Sequence, residues 1–303
     1  MSFKLKFWGV RGSIACPGRD FVTYGGNTSC VEVAIDGERF ILDGGTGIRN
    51  LGHWLSKKDV RQATILFSHT HWDHINGLPF FAPAYRPAHE FRIMAGHLAD
   101  AGGVERVFAG QMQLPYFPVL VGAMQASLSY HDFRAGETLA LGRGGTVKVR
   151  TAPLNHPNGA TGYRIEHGGR AICYVTDTEH VVGAPDQNIL RLIEGADLVI
   201  YDCTYDDAEF GAHLGWGHSS WQEGIRLCRL ANAKRLAIFH HDPDHDDRYM
   251  DRLALAARRQ WSGAFVAREG TKIDLRRLDD ETAPHPLHTL TGNVAQLADC
   301  QTG

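Results

Sequence analysis

No apolar run in this chain is long enough to cross a membrane. The longest, such as Ala196–Tyr201 and Leu236–Phe239, have the length of strands, far short of the roughly 20 residues a spanning helix needs. Met1-Ser2-Phe3-Lys4-Leu5-Lys6 lacks the charged head, apolar middle and small-residue cleavage site of a secretory leader. The expectation is a cytoplasmic protein with no membrane association. Positive charge is not in surplus. The chain carries 31 Lys and Arg against 34 Asp and Glu, a net charge of −3. Stable nucleic-acid binding, which wants a basic face, is therefore not expected, and a small anionic substrate is. The 6 cysteines form no C-x-x-C pair, which argues against a zinc ribbon and for a reducing compartment. Cys173 and Cys203 lie in apolar strand-like runs and read as small buried hydrophobes. No internal repeat and no Gly/Ser/Pro linker divides the sequence. One domain over 1–278 is expected, with an irregular insertion near 111–130 around Pro115 and Pro118, and a tail over 279–303 without clear period.

What is present is an ordinary globular composition, 43% hydrophobic and 21% charged, which excludes disorder and a coiled coil. Short apolar runs alternate with helical patterns. Lys4–Val10, Cys30–Ile35, Arg39–Leu42, Thr64–Phe67, Phe91–Met94, Thr146–Thr151, Thr161–Glu166, Arg170–Val175, Asp197–Tyr201 and Leu236–Phe239 read as strands. Ile48–Ser56, His97–Phe108, Ser219–Ala231 and Asp246–Gln260 read as helices. Gly25-Gly26-Asn27 and Asp36-Gly37 read as turns. Hairpins mixed with strand–helix alternation point to an α/β (α+β) fold with two sheets between helix layers, a four-layer αββα sandwich.

Histidine is abundant: 17 residues, more than the 14 Phe. Ser68-His69-Thr70-His71-Trp72-Asp73-His74 directly follows the apolar run Thr64–Phe67. A strand end leading into a tight loop can fan such side chains around one point. Four donors in so short a run cannot enclose one ion tetrahedrally, but they can divide between two. Matching groups stand at other strand ends: His156 after Val147–Thr151, Asp177 after Ala171–Val175, and His240 after Leu236–Phe239. His241 and His245 stand beside His240 as alternatives.

The His-x-His-x-Asp-His run, the later single His, Asp and His, and the Asp43-x-Gly45 turn together resemble the metallo-β-lactamase fold superfamily over nearly the whole chain. The resemblance implies two divalent ions, zinc first, with manganese or iron as alternatives. His69, His71 and His156 would hold one; Asp73, His74 and His240 the other; Asp177 would bridge both. Asp43 would support the ligand loop without binding metal. Gly215-Trp216-Gly217-His218-Ser219-Ser220, preceded by Tyr201-Asp202-Cys203-Thr204-Tyr205, resembles the phosphodiesterase and ribonuclease Z branch. Phe7-Trp8-Gly9-Val10-Arg11-Gly12-Ser13 resembles bacterial hydrolases related to cyclic nucleotide phosphodiesterases. No Gly/Pro- and Lys-rich arm of the kind that grips transfer RNA is evident.

The expected function is a binuclear metal-dependent hydrolase, a phosphodiesterase acting on a small diester such as a cyclic nucleotide. Asp73 would orient the attacking water and take its proton. His218 would contact the phosphoryl group or protonate the leaving oxygen. A helix start at Ser219 would favour a bound anion and depress the His218 pKa. Arg11 is a further candidate for a phosphate contact. Phe80, Phe81, Tyr85, Tyr116 and Phe117 are candidates for a wall that stacks a base. Rival readings are a thioesterase or lactonase of the same fold, or a non-hydrolytic iron or redox protein. A homodimer is compatible with all of them.

Overall fold

The computed structural model describes residues 2–278; the expected tail at 279–303, with Cys300, lies outside them. Six strands open the chain: β1 (Phe3–Gly9), β2 (Cys30–Ile35), β3 (Glu38–Leu42), β4 (Gln62–Phe67), β5 (Glu90–Ala95) and β6 (Ser127–Asp132). Seven more follow: β7 (Thr138–Leu141), β8 (Val147–Leu154), β9 (Ala160–His167), β10 (Arg170–Val175), β11 (Leu198–Asp202), β12 (Leu236–Phe239) and β13 (Ala264–Val266). The last, β14 (Lys272–Asp274), returns to the first group. One sheet has the order β14-β1-β2-β3-β4-β5-β6 and the other β13-β12-β11-β10-β9-β8-β7. The β2–β3 hairpin closes on two residues, Asp36 at φ 44° and Gly37 at φ 94°. Both central residues with positive φ is the turn whose twist matches the strands.

Between the sheets lies a dry core. Phe3, Leu5, Phe7, Val31, Val33, Phe40 and Leu66 from one side meet Tyr163, Ile165, Ile172, Ile200 and Phe239 from the other. The opposite faces are covered by helices, because alternate strand residues there are also apolar. α1 (Gly47–Lys57) lays Ile48, Leu51 and Leu55 on Ile41, Ile65 and Phe91. Then come α2 (Trp72–Ile75), α3 (Val104–Gln111), α4 (Gln187–Ile193), α5 (Asp207–Phe210), α6 (Trp221–Leu230) and α7 (Asp247–Gln260). α4, α6 and α7 cover the second sheet through Ile189, Ile225, Cys228 and Met250. The expected αββα sandwich is therefore the fold. No helix among the described residues is long and apolar enough to cross a membrane.

β3 to β6 run parallel, as do β10 to β13. Parallel neighbours end at the same edge of a sheet. β8 joins them, being antiparallel to β9, which is antiparallel to β10. The loops after β3, β4, β8, β10, β11 and β12 consequently gather at one end of the sandwich.

Several local expectations need correction. The helix expected from His97 begins only at Val104. Gly102 and Gly103 take φ 95° and 85°, a backbone that breaks a helix before it starts. The irregular stretch near 111–130 ends earlier, because Ser127–Tyr130 belongs to β6, a half-exposed edge strand paired with β5. β7 and α4 carry no clear signal in the sequence. β7 is four residues at a sheet edge; α4 is seven, started by Asp186 accepting from Asn188 N and Ile189 N. The five described cysteines are free and buried, as expected for Cys173 and Cys203.

Candidate metal centre

The loop after β4 and the single turn of α2 present His69, His71, Asp73 and His74 from one short stretch. His156 arrives from the loop after β8, Asp177 from that after β10, and His240 from the residue following β12. They meet as two groups, His69–His71–His156 and Asp73–His74–Asp177–His240, in each of which the donor atoms lie within 4.8 Å of one another. Asp177 faces both. Its Oδ1 lies 3.7 Å from His69 Nε2, 3.9 Å from His156 Nε2 and 3.3 Å from His240 Nε2, and its Oδ2 lies 3.2 Å from His74 Nε2. Asp73 Oδ2 is 3.2 Å from both His74 Nε2 and His240 Nε2. All seven expected ligands are thus brought together. His241 is not: its Nε2 lies 2.9 Å from the Ala267 carbonyl, and the ring faces the core edge-on to Tyr24. His245 turns to Glu209 at 3.0 Å.

These residues are held by partners behind them. Asp43 is fully buried and accepts from Ser68 N, Ser68 Oγ and Tyr174 OH at 2.7 Å each. Its Oδ2 also lies 2.8 Å from His74 Nδ1, which leaves Nε2 facing the cluster. His156 Nδ1 donates to the Gly217 carbonyl at 2.8 Å, and Thr204 Oγ1 lies 3.0 Å from His240 Nδ1. A ligand histidine fixed through its second nitrogen has its tautomer and ring direction set. Asp73 Oδ2 accepts from Ser13 N at 2.8 Å. The backbone bends sharply to make this possible. Asp43, Asp177 and His240 take φ 60°, 58° and 59°, a strained region for non-glycine residues that surrounding structure must enforce. Gly12 lets the chain pass His240 closely; a Cβ there would stand 2.3 Å from the imidazole.

The electrostatics of the protein alone fit a cation. Burial would disfavour the charged His74 ring, yet Asp177, Asp73 and Asp43 together hold its pKa well above the ordinary value. Burial, and next the neighbouring His74, hold His69 well below it. His69 Nε2 is buried without a hydrogen-bond partner, and His71 Nδ1 and His156 Nε2 face each other at 3.0 Å. A bound ion would displace the proton of His74, and imidazole nitrogens and ionised carboxylates converging in this way form the donor set that divalent ions of the zinc, manganese and iron type accept.

His218 stands beside the cluster. Its Nδ1 lies 3.0 Å from Asp202 Oδ2 and 3.8 Å from Asp177 Oδ1, and its ring stacks on His240 at 4.9 Å. Burial opposes the charged form, but Asp202, with Asp177 and Asp73, raises the pKa to about 9 in the metal-free protein. The expected depression by a helix N-terminus is therefore overridden by a buried carboxylate at contact distance. The glycines of this loop also act differently from expectation. Gly215 N and Gly217 N both donate to Glu179 Oε2, at 2.7 and 2.9 Å, so the loop wraps one of the chain's own carboxylates. A Cβ on Gly217 would stand 2.3 Å from His156 Nδ1; this glycine makes room for the ligand.

Arg11 is not a phosphate contact. It is fully buried, with Nε donating to the Gly25 carbonyl at 2.9 Å and Nη1 to those of Asp242 at 3.0 Å and His245 at 2.6 Å. Nor do the five aromatics make one wall. Phe81 is core against Phe91, Tyr85 OH is tied to the Pro79 carbonyl, and Phe80 packs edge-on to Phe117 at 5.7 Å, with Tyr116 exposed. Asp202, Thr204, Glu179 and Ser13 had no assigned role in the sequence reading. Only the Tyr201–Tyr205 segment carried a signal for the first two.

A family model described as beta-lactamase superfamily domain matches residues 38–241. A protein named ribonuclease Z from Natronomonas pharaonis is 27% identical over 91% of this chain and 98% of its own. Among solved structures, the metallo-beta-lactamase fold protein YhfI from Bacillus subtilis superposes with TM-score 0.68 at 19% identity, covering 90% of this chain and 98% of its own. The short form of human tRNase Z superposes with TM-score 0.63 at 22% identity, over 90% and 99%. With the family match spanning the ligand loops, the chain belongs to the beta-lactamase superfamily and is a metallo-β-lactamase-fold hydrolase, similar to proteins named ribonuclease Z.

Proposed function

We propose that the chain hydrolyses small phosphodiesters, of which a cyclic nucleotide is an example, at a binuclear metal centre. His69, His71 and His156 would hold one divalent ion, Asp73, His74 and His240 the second, and Asp177 both. The ions would polarise the phosphoryl oxygens and make the attacking water more acidic. The chain's own residues do the rest. Asp73, fixed through Oδ2 by Ser13 N, orients the water and receives its proton. His218 is aimed by Asp202 through Nδ1, which leaves Nε2 to protonate the departing alkoxide.

The observation that carries this reading is the His218–Asp202 pair at the edge of the cluster. An alkoxide leaving phosphorus needs a proton, and a histidine with a raised pKa beside a buried carboxylate can supply it. The ribonuclease Z relatives share the bond type by name. The small substrate rests on the net charge of −3. The test is kcat/KM of zinc-loaded and manganese-loaded protein on a chromogenic diester, a 3′,5′-cyclic nucleotide, a glutathione thioester and a lactone. The diesters should lead. An acyl substrate ahead by about tenfold or more would overturn the assignment.

A further inference from the structure

We infer that the site takes an ester with an apolar or aromatic arm, carrying no more than the single charge of its reacting group. This rests on the proposed hydrolase site and names its substrate class. The first observation is electrostatic. The segments that gather at the metal end, 12–18, 43–48, 68–77, 155–159, 176–185, 202–221 and 239–247, contain no lysine or arginine. Four arginines border these segments: Arg11 is fully buried, with Nε and Nη1 on backbone carbonyls, and Arg19, Arg49 and Arg248 stand just outside them. Polynucleotide binding is driven by cationic side chains that displace counterions from phosphates. Within these loops only metal ions and His218 could attract an anion, while Asp206, Asp242 and Asp244 would repel further phosphates; Asp207 is paired with Arg226.

The second observation is what these loops expose instead. Trp72, between His71 and Asp73 in the chain, is 73% exposed; Ile14, next to the Ser13 that bonds Asp73, is 62% exposed. In the loops after β11 and β10, Trp216 is 63% and Val182 77% exposed. Glu179 joins these two loops, because its carboxylate binds Gly215 N and Gly217 N on either side of Trp216. Trp216 meets His213 at 5.1 Å, His213 stacks on Tyr205 at 4.3 Å, and Tyr205 lies 6.2 Å edge-on from His218. The exposed indole is thus the outer end of a series of rings that leads inward to the acid group. Exposed tryptophans on loops cost hydration unless something covers them. An aromatic or apolar arm flanking the scissile bond would cover such side chains.

The test compares benzyl 4-nitrophenyl phosphate with methyl 4-nitrophenyl phosphate, which share a single leaving group and differ in the arm, each rate being divided by that of the same ester in alkali. 4-Nitrophenyl phenylacetate against 4-nitrophenyl acetate provides the same comparison at acyl carbon. The aryl-armed member should exceed its partner in kcat/KM by about tenfold, the scale of one stacked ring. Trp72→Ala or Trp216→Ala should cut that ratio several-fold, with the loss in KM. Raising salt from about 50 to 300 mM should change kcat/KM on the aryl diester by less than about twofold. A ratio near one, or one that both variants leave intact, overturns the proposal. So does an oligoribonucleotide that outperforms the aryl diester with a steep salt dependence. Arm selectivity seen only in the acyl pair would retain the inference while overturning the phosphodiesterase reading.

Discussion

Asp43 reaches the metal cluster through its contact with His74, yet four groups converge on its buried carboxylate. Asp43→Ala leaves Ser68, Tyr174 and His74 without their common acceptor. The expected outcome is a second metal bound about 10–100-fold more weakly, the usual effect of losing a partner behind a ligand, read by titration of apo protein with zinc. His218 makes the opposite prediction. His218→Ala should keep both metals and a near-native melting temperature while kcat falls by about 10²–10⁴. The loss should shrink on a nitrophenolate leaving group, which needs little protonation. Asp202→Asn should follow His218→Ala in direction. It should also move the basic limb of the pH–rate profile of the metal-loaded enzyme to lower pH, because the carboxylate that raises the His218 pKa is gone. A variant that loses a metal would instead make His218 a ligand. Of these residues, His218 was legible from its Gly-rich loop. Asp202 was not assigned, because a carboxylate at a strand end looks the same in sequence whether it faces solvent or a histidine.

Although α4, capped and packed, is an exception, most of the longer helices and strands are legible in the sequence, because there local chemistry and tertiary packing agree. α7 is the clearest case. Asp246 was placed at its start, and the structure has Asp246 Oδ1 accepting from Tyr249 N at 2.7 Å. Asp246→Ala should cost about 1 kcal/mol, visible as a melting temperature lower by about 2–4 °C, with turnover unchanged. A shift below half a degree would mean that packing of Met250, Leu253 and Ala257 holds the helix without its cap. β6 and β7 escaped because each is an edge strand paired on one side only. Their alternation is weak, since half of each strand faces water, and pairing supplies the rest.

At the scale of the molecule, the metal end is a meeting of two sheets. Ligands from β4 and α2 belong to the first sheet's connections; His156, Asp177 and His240 belong to the second's. Ions bound there would tie the two halves of the sandwich together and stabilise only the folded state. Prolonged chelation should therefore lower the melting temperature as well as abolish activity. Readdition of zinc or manganese should restore both, and with ions present at about 100 times their dissociation constant the gain is about 2.7 kcal/mol. An unchanged melting temperature after complete metal removal would show that the two sheets hold this geometry without help.

The sequence by itself determined the fold class and picked out the seven His and Asp residues that the fold brings together. Ligand spacing is local, strand ends are marked by apolar runs, and a histidine cluster after a strand has few other uses. Tertiary structure alone decided which way the ambiguous groups face. His240 and His241 differ by one position, and the left-handed turn at His240, φ 59°, sends one ring into the His/Asp cluster and the other to the Ala267 carbonyl. Arg11 is one candidate for a phosphate contact in the sequence, and burial with three backbone carbonyls around it removes it from the site. The His218 pKa was decided in the same way. A helix terminus is visible in sequence, but a buried carboxylate at 3.0 Å is a stronger field that exists only when β11 and the loop before α6 are packed side by side.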